Sequence, residues 1–277
     1  HGDAEKGIIT FEINNPETRN ALSKGLIDDL QDAIHQVKSD EQARVVILKS
    51  KNPGMFCAGA DLKERLTMSN WDTELFVTRL RETFDLIYHI PVPVIAAIDG
   101  PALGGGLELA LSCDIRVCSK ASLIGLTETS LGIIPGAGGT QKLSRVIGIA
   151  KAKELIFTAK RLKAEEALSL GIVNYVEEDY AKTNQKALEI AQQILPRGPI
   201  AIRAAKVGLN SSIETDLATG LNIEKMLYSK IVDTEDRIEG LKAFLEKRKP
   251  SYKGKQMVSL QQTKSLAILI STIEFQC

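Results

Sequence analysis

Short apolar runs alternate with segments in which apolar residues recur every three or four positions along the first half of the chain. The first pattern is typical of buried strands and the second of amphipathic helices. Strands are predicted over residues 7–13, 45–48, 94–98, 115–117 and 122–125. One helix is predicted over 22–37, with Ser23 as its N-cap, and a second begins at Ser69 or Asn70. Strands that alternate with helices indicate an α/β core.

The pattern changes after about Lys151, where helical spacing dominates. Helices are predicted over residues 151–158, 164–170, 184–195, 199–210, 217–232 and 234–249, with one strand near 172–176. We therefore predict an α/β core over residues 1–198 and a helical region over residues 199–254. The last segment, residues 255–277, contains a short apolar run with no partner pattern, and we expect it to be a disordered or artificial tail.

Composition excludes several classes of protein. In a chain of 277 residues, 35 Lys and Arg residues balance 35 Asp and Glu residues, so no net field attracts nucleic acid or an anionic membrane. No apolar run reaches the roughly 18 residues of a transmembrane helix. The chain opens at His1-Gly2 without a methionine. We interpret these two residues as an expression remnant, so that any upstream targeting peptide would already be missing.

Cysteines and histidines offer few candidates for catalysis or metal binding. Because the four cysteines have no CxxC spacing, we predict free thiols at Cys57, Cys113, Cys118 and Cys277. Cys57 has no visible basic partner, so we predict that it only packs in the core. The distance between His35 and His89 in the sequence argues against a histidine metal site and against a nucleophile–histidine pair.

Two glycine clusters each stand beside one carboxylate in apolar surroundings. Residues 136–141 lack the last glycine of a dinucleotide-binding fingerprint, and the chain contains no P-loop motif. Glu108 follows the three glycines at 104–106, and Glu128 follows Gly125. Burial beside leucines raises the pKa of a carboxyl group and suits it to proton transfer near neutrality.

Three glycines before a helix would leave backbone N–H groups uncovered, and such groups suit a developing oxyanion. The residues alone leave a structural alternative open. In that interpretation, Gly104, Glu108 and Ser112 form the polar outer stripe of an amphipathic helix. Glu128 would then be an ordinary acid in a surface loop.

Four segments carry a resemblance to a known family. Residues 56–64, 102–110, 134–140 and 239–248 resemble the signature segments of the enoyl-CoA hydratase/isomerase (crotonase) family, in the same order. The resemblance extends over about residues 5–254. It implies an α/β crotonase fold, in which ββα turns form a spiral and the helices that follow mediate assembly into a homotrimer or a dimer of trimers.

The resemblance also implies an activity and a set of site residues. The activity is the addition of water across the 2,3 double bond of a 2-enoyl-CoA thioester, with Δ3,Δ2-enoyl-CoA isomerisation as an alternative. It needs no metal or redox cofactor, because coenzyme A is part of the substrate. The implied catalytic acids are Glu108 and Glu128, and the implied oxyanion-hole N–H groups are those of Ala60 and Gly105. The implied substrate- and CoA-binding residues are Ala58, Asp61, Leu62, Lys63, Gly136 and Lys247.

Within the family, residues 62–65, 107–111 and 153–158 are most similar to a mitochondrial branch. That branch contains methylglutaconyl-CoA hydratases, one of which also binds AU-rich RNA, and enoyl-CoA hydratase domain-containing proteins. It implies a location in the mitochondrial matrix and raises RNA binding as a function of another class. The RNA-binding helix is striped with lysines in that relative, whereas this chain has Lys24, Asp28 and Asp32. Because carboxylates repel phosphates, we predict that RNA binding is weak.

Overall fold

The computed structural model of the chain describes residues 6–257. The chain divides into two compact units, one that extends to Leu195 and one that begins at Pro196. The predicted boundary at residue 198 lies close to this division. Residues 1–5, which include the predicted remnant, and residues 258–277, which form most of the predicted tail, lie outside the described part of the chain.

The strands of the first unit form two sheets. Their bounds are β1 Ile8–Ile13, β2 Val45–Ser50, β3 Val94–Ile98, β4 Ala102–Leu103, β5 Ile115–Ser119, β6 Leu123–Gly125, β7 Leu162–Lys163 and β8 Tyr175–Glu177. The larger sheet is parallel throughout and has the strand order β1-β2-β3-β5-β8. In the smaller sheet, β4 pairs in parallel with β6, and β6 pairs antiparallel with β7.

Helices connect and cover these strands. In the first unit they are α1 Lys24–Ser39, α2 Leu62–Leu66, α3 Asn70–Tyr88, α4 Gly105–Leu111, α5 Gly139–Ile147, α6 Ile149–Phe157, α7 Ala164–Ser169 and α8 Tyr180–Ile194. Short 3₁₀ helices occur at Pro16–Thr18 and Glu128–Leu131. Ser23 is the N-cap of α1, as predicted, because its side chain accepts the N–H of Leu26. Helix α3 begins at Asn70, one of the two predicted starts, and Ser69 is its N-cap.

The parallel sheet is buried on both faces, which explains the unbroken apolar runs in β2 and β3. Successive side chains of a strand point to opposite faces. Val46 and Ala96 therefore belong to a core that includes the apolar stripes of α1 and α3. Val45 and Ile95 point the other way and pack in a second cluster with Ile190 of α8. The prediction of an α/β core is confirmed.

Three features of this unit differ from the sequence-based prediction. The short elements α2, β4 and β7 were not predicted, because two to five residues show no usable periodicity. Helix α5 was not predicted either, and it begins at Gly139. Glycine has a low helix propensity, so the glycine run concealed the start of this helix. Helix α4 is buried along its whole length, so an outer polar stripe on it is wrong.

The second unit is helical, as predicted. It contains α9 Pro199–Ser212, α10 Leu217–Val232 and α11 Glu235–Leu245. Pro199 occupies the first turn of α9, where its missing N–H costs no hydrogen bond. Helix α11 ends earlier than the predicted residue 249, because the backbone turns left-handed at Lys247, with φ 54°.

Candidate active site

Gly104 connects the strand β4 to the helix α4 and brings the loop of Glu128 close. Its backbone angles, φ 51° and ψ −125°, are tolerated by glycine alone. Its N–H donates to the carbonyl oxygen of Gly125 at 2.8 Å, which ties the start of α4 to β6. A Cβ atom at residue 104 would lie 3.1 Å from Oε1 of Glu128. The absence of a side chain therefore leaves room for the Glu128 carboxyl group beside α4.

Glu108 is held by two backbone N–H groups that come from a distant part of the sequence. Its Oε1 accepts the N–H of Ala137 at 2.8 Å and that of Gly139 at 2.7 Å. Gly139 is the first residue of α5, so the carboxylate also lies at the positive end of that helix. Burial raises the pKa of Glu108, and the two N–H groups, together with Lys142 and Arg81, oppose that rise. The pKa of Glu108 stays above the ordinary glutamate value, but these contacts favour the ionised form and keep the rise smaller than burial alone would make it.

Glu128 is the more strongly perturbed of the two acids. It begins the 3₁₀ turn that follows β6, and its side chain is half-buried. Burial first, and the nearby charge of Glu108 second, raise the pKa of Glu128 to about 7. Its Oε2 is shielded from solvent and has no hydrogen-bond partner among residues 6–257. Near neutrality, Glu128 therefore holds a proton much more readily than an ordinary glutamate does.

Replacing Glu128 with glutamine is expected to stabilise the folded chain at alkaline pH. The unfolded chain should show a glutamate pKa of about 4.3, whereas that of folded Glu128 is about 7. The folded state binds this proton more tightly, so the parent loses stability as pH rises between these values. Glutamine removes that loss. In thermal melts, the Tm of Glu128→Gln should rise relative to the parent from about pH 5 to pH 7 and then level off. A Tm difference that does not change with pH would contradict this assignment.

Two unpaired N–H donors lie beside these acids. Gly59, with φ 95°, brings the segment of Ala60 against the start of α4, because a Cβ on Gly59 would lie 3.5 Å from the Gly105 nitrogen. Gly105 is the first residue of α4 and has no intrahelical acceptor for its N–H. Within residues 6–257, neither the Ala60 N–H nor the Gly105 N–H donates to a protein acceptor. Both are therefore available to a ligand.

These groups open onto one cleft of about 700 Å³, formed entirely by the first unit. It contains most of the predicted site residues, namely Ala58, Ala60, Leu62, Gly105, Glu108, Glu128 and Gly136. Its wall is largely apolar and includes Val77, Leu80, Leu131, Ile133 and Ile134. An apolar cleft with a few convergent polar groups is the usual form of a small-molecule site.

The remaining predicted residues do not line this cleft. Asp61 is the N-cap of α2, and its Oδ1 accepts the N–H groups of Lys63 and Glu64. The side chain of Lys63 is exposed, and Lys247 belongs to the second unit, just beyond the end of α11. Contacts of Asp61, Lys63 and Lys247 with coenzyme A therefore stay predictions.

Three arginines that the sequence-based prediction missed line the cleft: Arg65, Arg81 and Arg161. Arg65 stacks on the ring of Phe76 at 4.1 Å, and its Nε is buried and unpaired within the described residues. Arg81 follows the buried Leu80 on α3, and its Nε donates to the Gly136 carbonyl at 3.0 Å. In the sequence, Arg81 is distinguished only by its position next to Leu80 on the apolar face of a predicted helix, and this pattern alone could have indicated that it lines the cleft.

Metal-binding clusters, membrane-spanning helices and reactive thiols are the other features that could indicate a function. Within residues 6–257, no group of three or more His, Cys, Asp or Glu side chains could hold a metal ion, and no helix is long and apolar enough to cross a membrane. Cys57, Cys113 and Cys118 are buried and form no disulfide within residues 6–257, as predicted, whereas Cys277 lies outside the described residues. Burial raises the pKa of Cys57 to about 12, so its thiol is neutral at pH 7.

One buried and one half-buried carboxyl group beside two free backbone donors are typical of enzymes that move protons while they stabilise an oxyanion. A model of the enoyl-CoA hydratase/isomerase family matches residues 3–255. The chain belongs to that family. It is an enzyme of the enoyl-CoA hydratase class, which is a class of lyases.

Named relatives and solved structures agree with this assignment. Human mitochondrial methylglutaconyl-CoA hydratase is 50% identical over 255 residues, which cover 91% of this chain and 75% of that protein. Mouse mitochondrial enoyl-CoA hydratase domain-containing protein 2 is 48% identical over 253 residues, which cover 90% of this chain and 86% of that protein. The crystal structure of an enoyl-CoA hydratase from Bacillus anthracis is 46% identical with a TM-score of 0.89, and the match covers 92% of this chain and 98% of that one. The predicted crotonase fold is confirmed.

Proposed function

We propose that the chain hydrates 2-enoyl-CoA thioesters with Glu108 as the base and Glu128 as the acid. The observation that carries the proposal is the difference between the two acids. Glu108 accepts two N–H groups that favour its charged form, whereas Glu128, with a pKa of about 7 and an unpaired oxygen, favours the protonated form. Two carboxyl groups whose environments push their pKa values apart are suited to opposite roles in proton transfer.

The steps follow from these protonation states. The N–H groups of Ala60 and Gly105 would donate to the thioester oxygen and stabilise the negative charge that develops on it. Glu108 would take a proton from water as the water oxygen bonds to C3 of the substrate. Glu128 would give its proton to C2, which completes the addition of one water molecule. Transfer of one proton from Glu108 to Glu128, directly or through solvent, restores the starting state.

Hydration removes the conjugation between the double bond and the thioester, so the ultraviolet absorbance of crotonyl-CoA reports the reaction directly. We expect saturable loss of this absorbance with the parent enzyme, and a 3-hydroxyacyl-CoA as the product in mass spectrometry. A 3-enoyl-CoA in the same assay tests the isomerase alternative. No product from crotonyl-CoA or longer 2-enoyl-CoAs would contradict the proposed function.

The arginines in the cleft favour a second candidate, a substrate whose acyl group carries a carboxylate. Arg65 offers a buried Nε–H without a protein acceptor, and guanidinium groups bind carboxylates well. One relative, which is 50% identical to this chain, is named methylglutaconyl-CoA hydratase. A methylglutaconyl group carries a free carboxylate at the end of its acyl chain. We therefore include 3-methylglutaconyl-CoA among the proposed substrates.

The Arg65→Met variant separates the two substrates. Loss of a hydrogen bond to a charged group costs about 1.5–3 kcal/mol, so kcat/KM for 3-methylglutaconyl-CoA should fall about 10- to 100-fold. Crotonyl-CoA lacks the carboxylate, and its kcat/KM should change by no more than about twofold. Arg65→Lys keeps the charge and should recover part of the loss. Equal effects of Arg65→Met on both substrates would exclude Arg65 as a carboxylate-binding group.

We also propose a homotrimer or a dimer of trimers. Helix α10 has no buried residue, and large apolar side chains stand exposed on the second unit, with Phe244 at 83% and Leu217 at 79% exposure. Large exposed apolar surfaces mark interfaces. Sedimentation at micromolar concentration should show a trimer or hexamer, and Phe244→Glu should shift it toward the monomer. A monomeric parent would contradict the proposal.

Two further parts of the proposal concern location and RNA. Several relatives are named as mitochondrial proteins, which supports a mitochondrial matrix location and a role in acyl-CoA breakdown, although a bacterial structure is equally similar. The solvent-facing side of α1 presents Asp28, Asp29 and Asp32, and Arg79 pairs with Asp28. Because carboxylates repel phosphates, this acidic face supports the prediction that RNA binding through α1 is weak. A salt-dependent RNA titration would test it.

A further inference from the structure

A partly buried network of side chains lies one helical turn beyond Glu108, on the same face of α4. The Nζ of Lys142 donates to the Oγ of Ser112 at 2.7 Å, and this Oγ donates to the backbone carbonyl of Glu108 at 2.8 Å. Lys142 belongs to α5, and Ser112 ends α4. The two bonds therefore join the helix that carries Glu108 to the helix whose first N–H group binds its carboxylate. Lys142 is not among the residues that line the cleft.

The surroundings of Lys142 keep a charge at this position. Its ammonium group lies 5.0 Å from the centre of the Tyr88 ring on α3, a distance suited to a cation–π contact. Burial lowers the pKa of Lys142 to about 8, and Asp85 on α3, Cys113 and Glu108 oppose this fall. Lys142 is therefore mostly protonated at pH 7, although it is half-buried.

The charges that face Glu108 come from several elements. Lys142 on α5 and Arg81 on α3 both lower the pKa of Glu108, with Lys142 the stronger of the two. Glu128, on the turn after β6, is the neighbouring acid. Arg81 lines the cleft, so substrate can change its surroundings, whereas Lys142 is not among the residues that line the cleft.

We propose that Lys142 is a positioning residue for Glu108: its bond to Ser112 holds α4 and α5 in register, and its charge adds to the two backbone N–H groups that stabilise the Glu108 carboxylate. The inference rests on the proposed function, in which Glu108 is the base. It adds a residue outside the cleft that influences the pH range over which Glu108 is ionised and can act as the base.

Three variants separate charge from hydrogen bonding. Lys142→Arg keeps the charge and a donor, Lys142→Gln keeps only a donor, and Lys142→Met keeps neither. The acid limb of the pH profile of kcat/KM reports ionisation of the essential base in the free enzyme. Loss of one partly buried charge should move this limb to higher pH by roughly half to one unit in Lys142→Gln and Lys142→Met. Lys142→Arg should keep the parental limb.

A second measurement does not depend on turnover. Selective ¹³C labelling of glutamate side chains allows the carboxyl of Glu108 to be titrated by NMR, with the spectrum of Glu108→Gln as its assignment. The midpoint should rise in Lys142→Gln by about as much as the acid limb does. A different outcome is that the parent hydrates no enoyl-CoA while the Glu108 midpoint is still higher in Lys142→Gln than in the parent. In that case the proposed function fails, and the proposed effect of Lys142 on Glu108 stands.

An unchanged midpoint and an unchanged acid limb in folded Lys142→Gln would overturn the proposal. A purely structural role for Lys142 predicts that result, together with a lower Tm. If Lys142→Met does not fold, Lys142→Gln alone decides between the two outcomes, because it retains a donor for Ser112.

Discussion

Replacing Glu108 with glutamine should lower kcat for hydration by at least about 100-fold, the scale expected when a positioned general base is removed. The amide cannot take a proton from water. Its oxygen can still accept the N–H groups of Ala137 and Gly139, which hold the carboxylate in the parent. The fold should therefore survive, and KM should change much less than kcat.

Glu82→Gln is a matched control for this measurement. Glu82 lies on α3 with an exposed side chain, outside the cleft, and its replacement should leave kcat unchanged. Glu128→Gln should lose a similar factor to Glu108→Gln, because it removes the proposed acid. Initial rates with crotonyl-CoA, together with circular dichroism of each variant, test all three. Near-parental turnover in a folded Glu108→Gln would remove this residue from the mechanism.

Replacing Gly105 with proline should remove one proposed oxyanion donor, because proline has no backbone N–H. The Gly105 N–H has no acceptor within the described residues, and proline is well tolerated at the first position of a helix. Loss of one oxyanion-hole donor costs about 2.7–4 kcal/mol of transition-state stabilisation, or about 100- to 1000-fold in kcat.

The steric control for this variant is Gly105→Ala. A Cβ at this position would lie 2.6 Å from Cδ1 of Leu22, so both variants press on the same side chain. Only the alanine keeps the N–H. The ratio of their rates therefore measures the donor itself. If folded Gly105→Pro and Gly105→Ala turn over at the same rate, the Gly105 N–H is not a catalytic donor.

The sequence predicted the central elements well, because burial leaves a regular pattern. Strand β3 was predicted with its observed bounds, since an apolar run of five residues between a proline and an aspartate has few alternatives. Chemistry alone left Glu108 open between a catalytic acid and a polar stripe. The burial of the whole of α4, with Glu108 only 2% exposed, excludes the stripe.

The contacts that distinguish the two acids were beyond prediction from patterns. Ala137 and Gly139 follow Glu108 by about 30 residues, and no local periodicity indicates that their N–H groups meet its carboxylate. The role of Lys142 depends on the same long-range packing of α5 on α4. Asp61 illustrates the opposite case: a local capping pattern explains its position in the structure, yet the family resemblance suggested a ligand-binding role.

The N–H groups of the proposed oxyanion hole, and those that hold the Glu108 carboxylate, belong to the main chain. Proline at Ala60, Gly105, Ala137 or Gly139 deletes such a group, whereas other substitutions keep it. The cleft wall, in contrast, consists of side chains such as Leu131 and Ile134 that any mutation can exchange. During evolutionary drift, a gene with this arrangement can therefore change the apolar lining of its cleft, and with it the proposed acyl preference, while these main-chain donors stay in place.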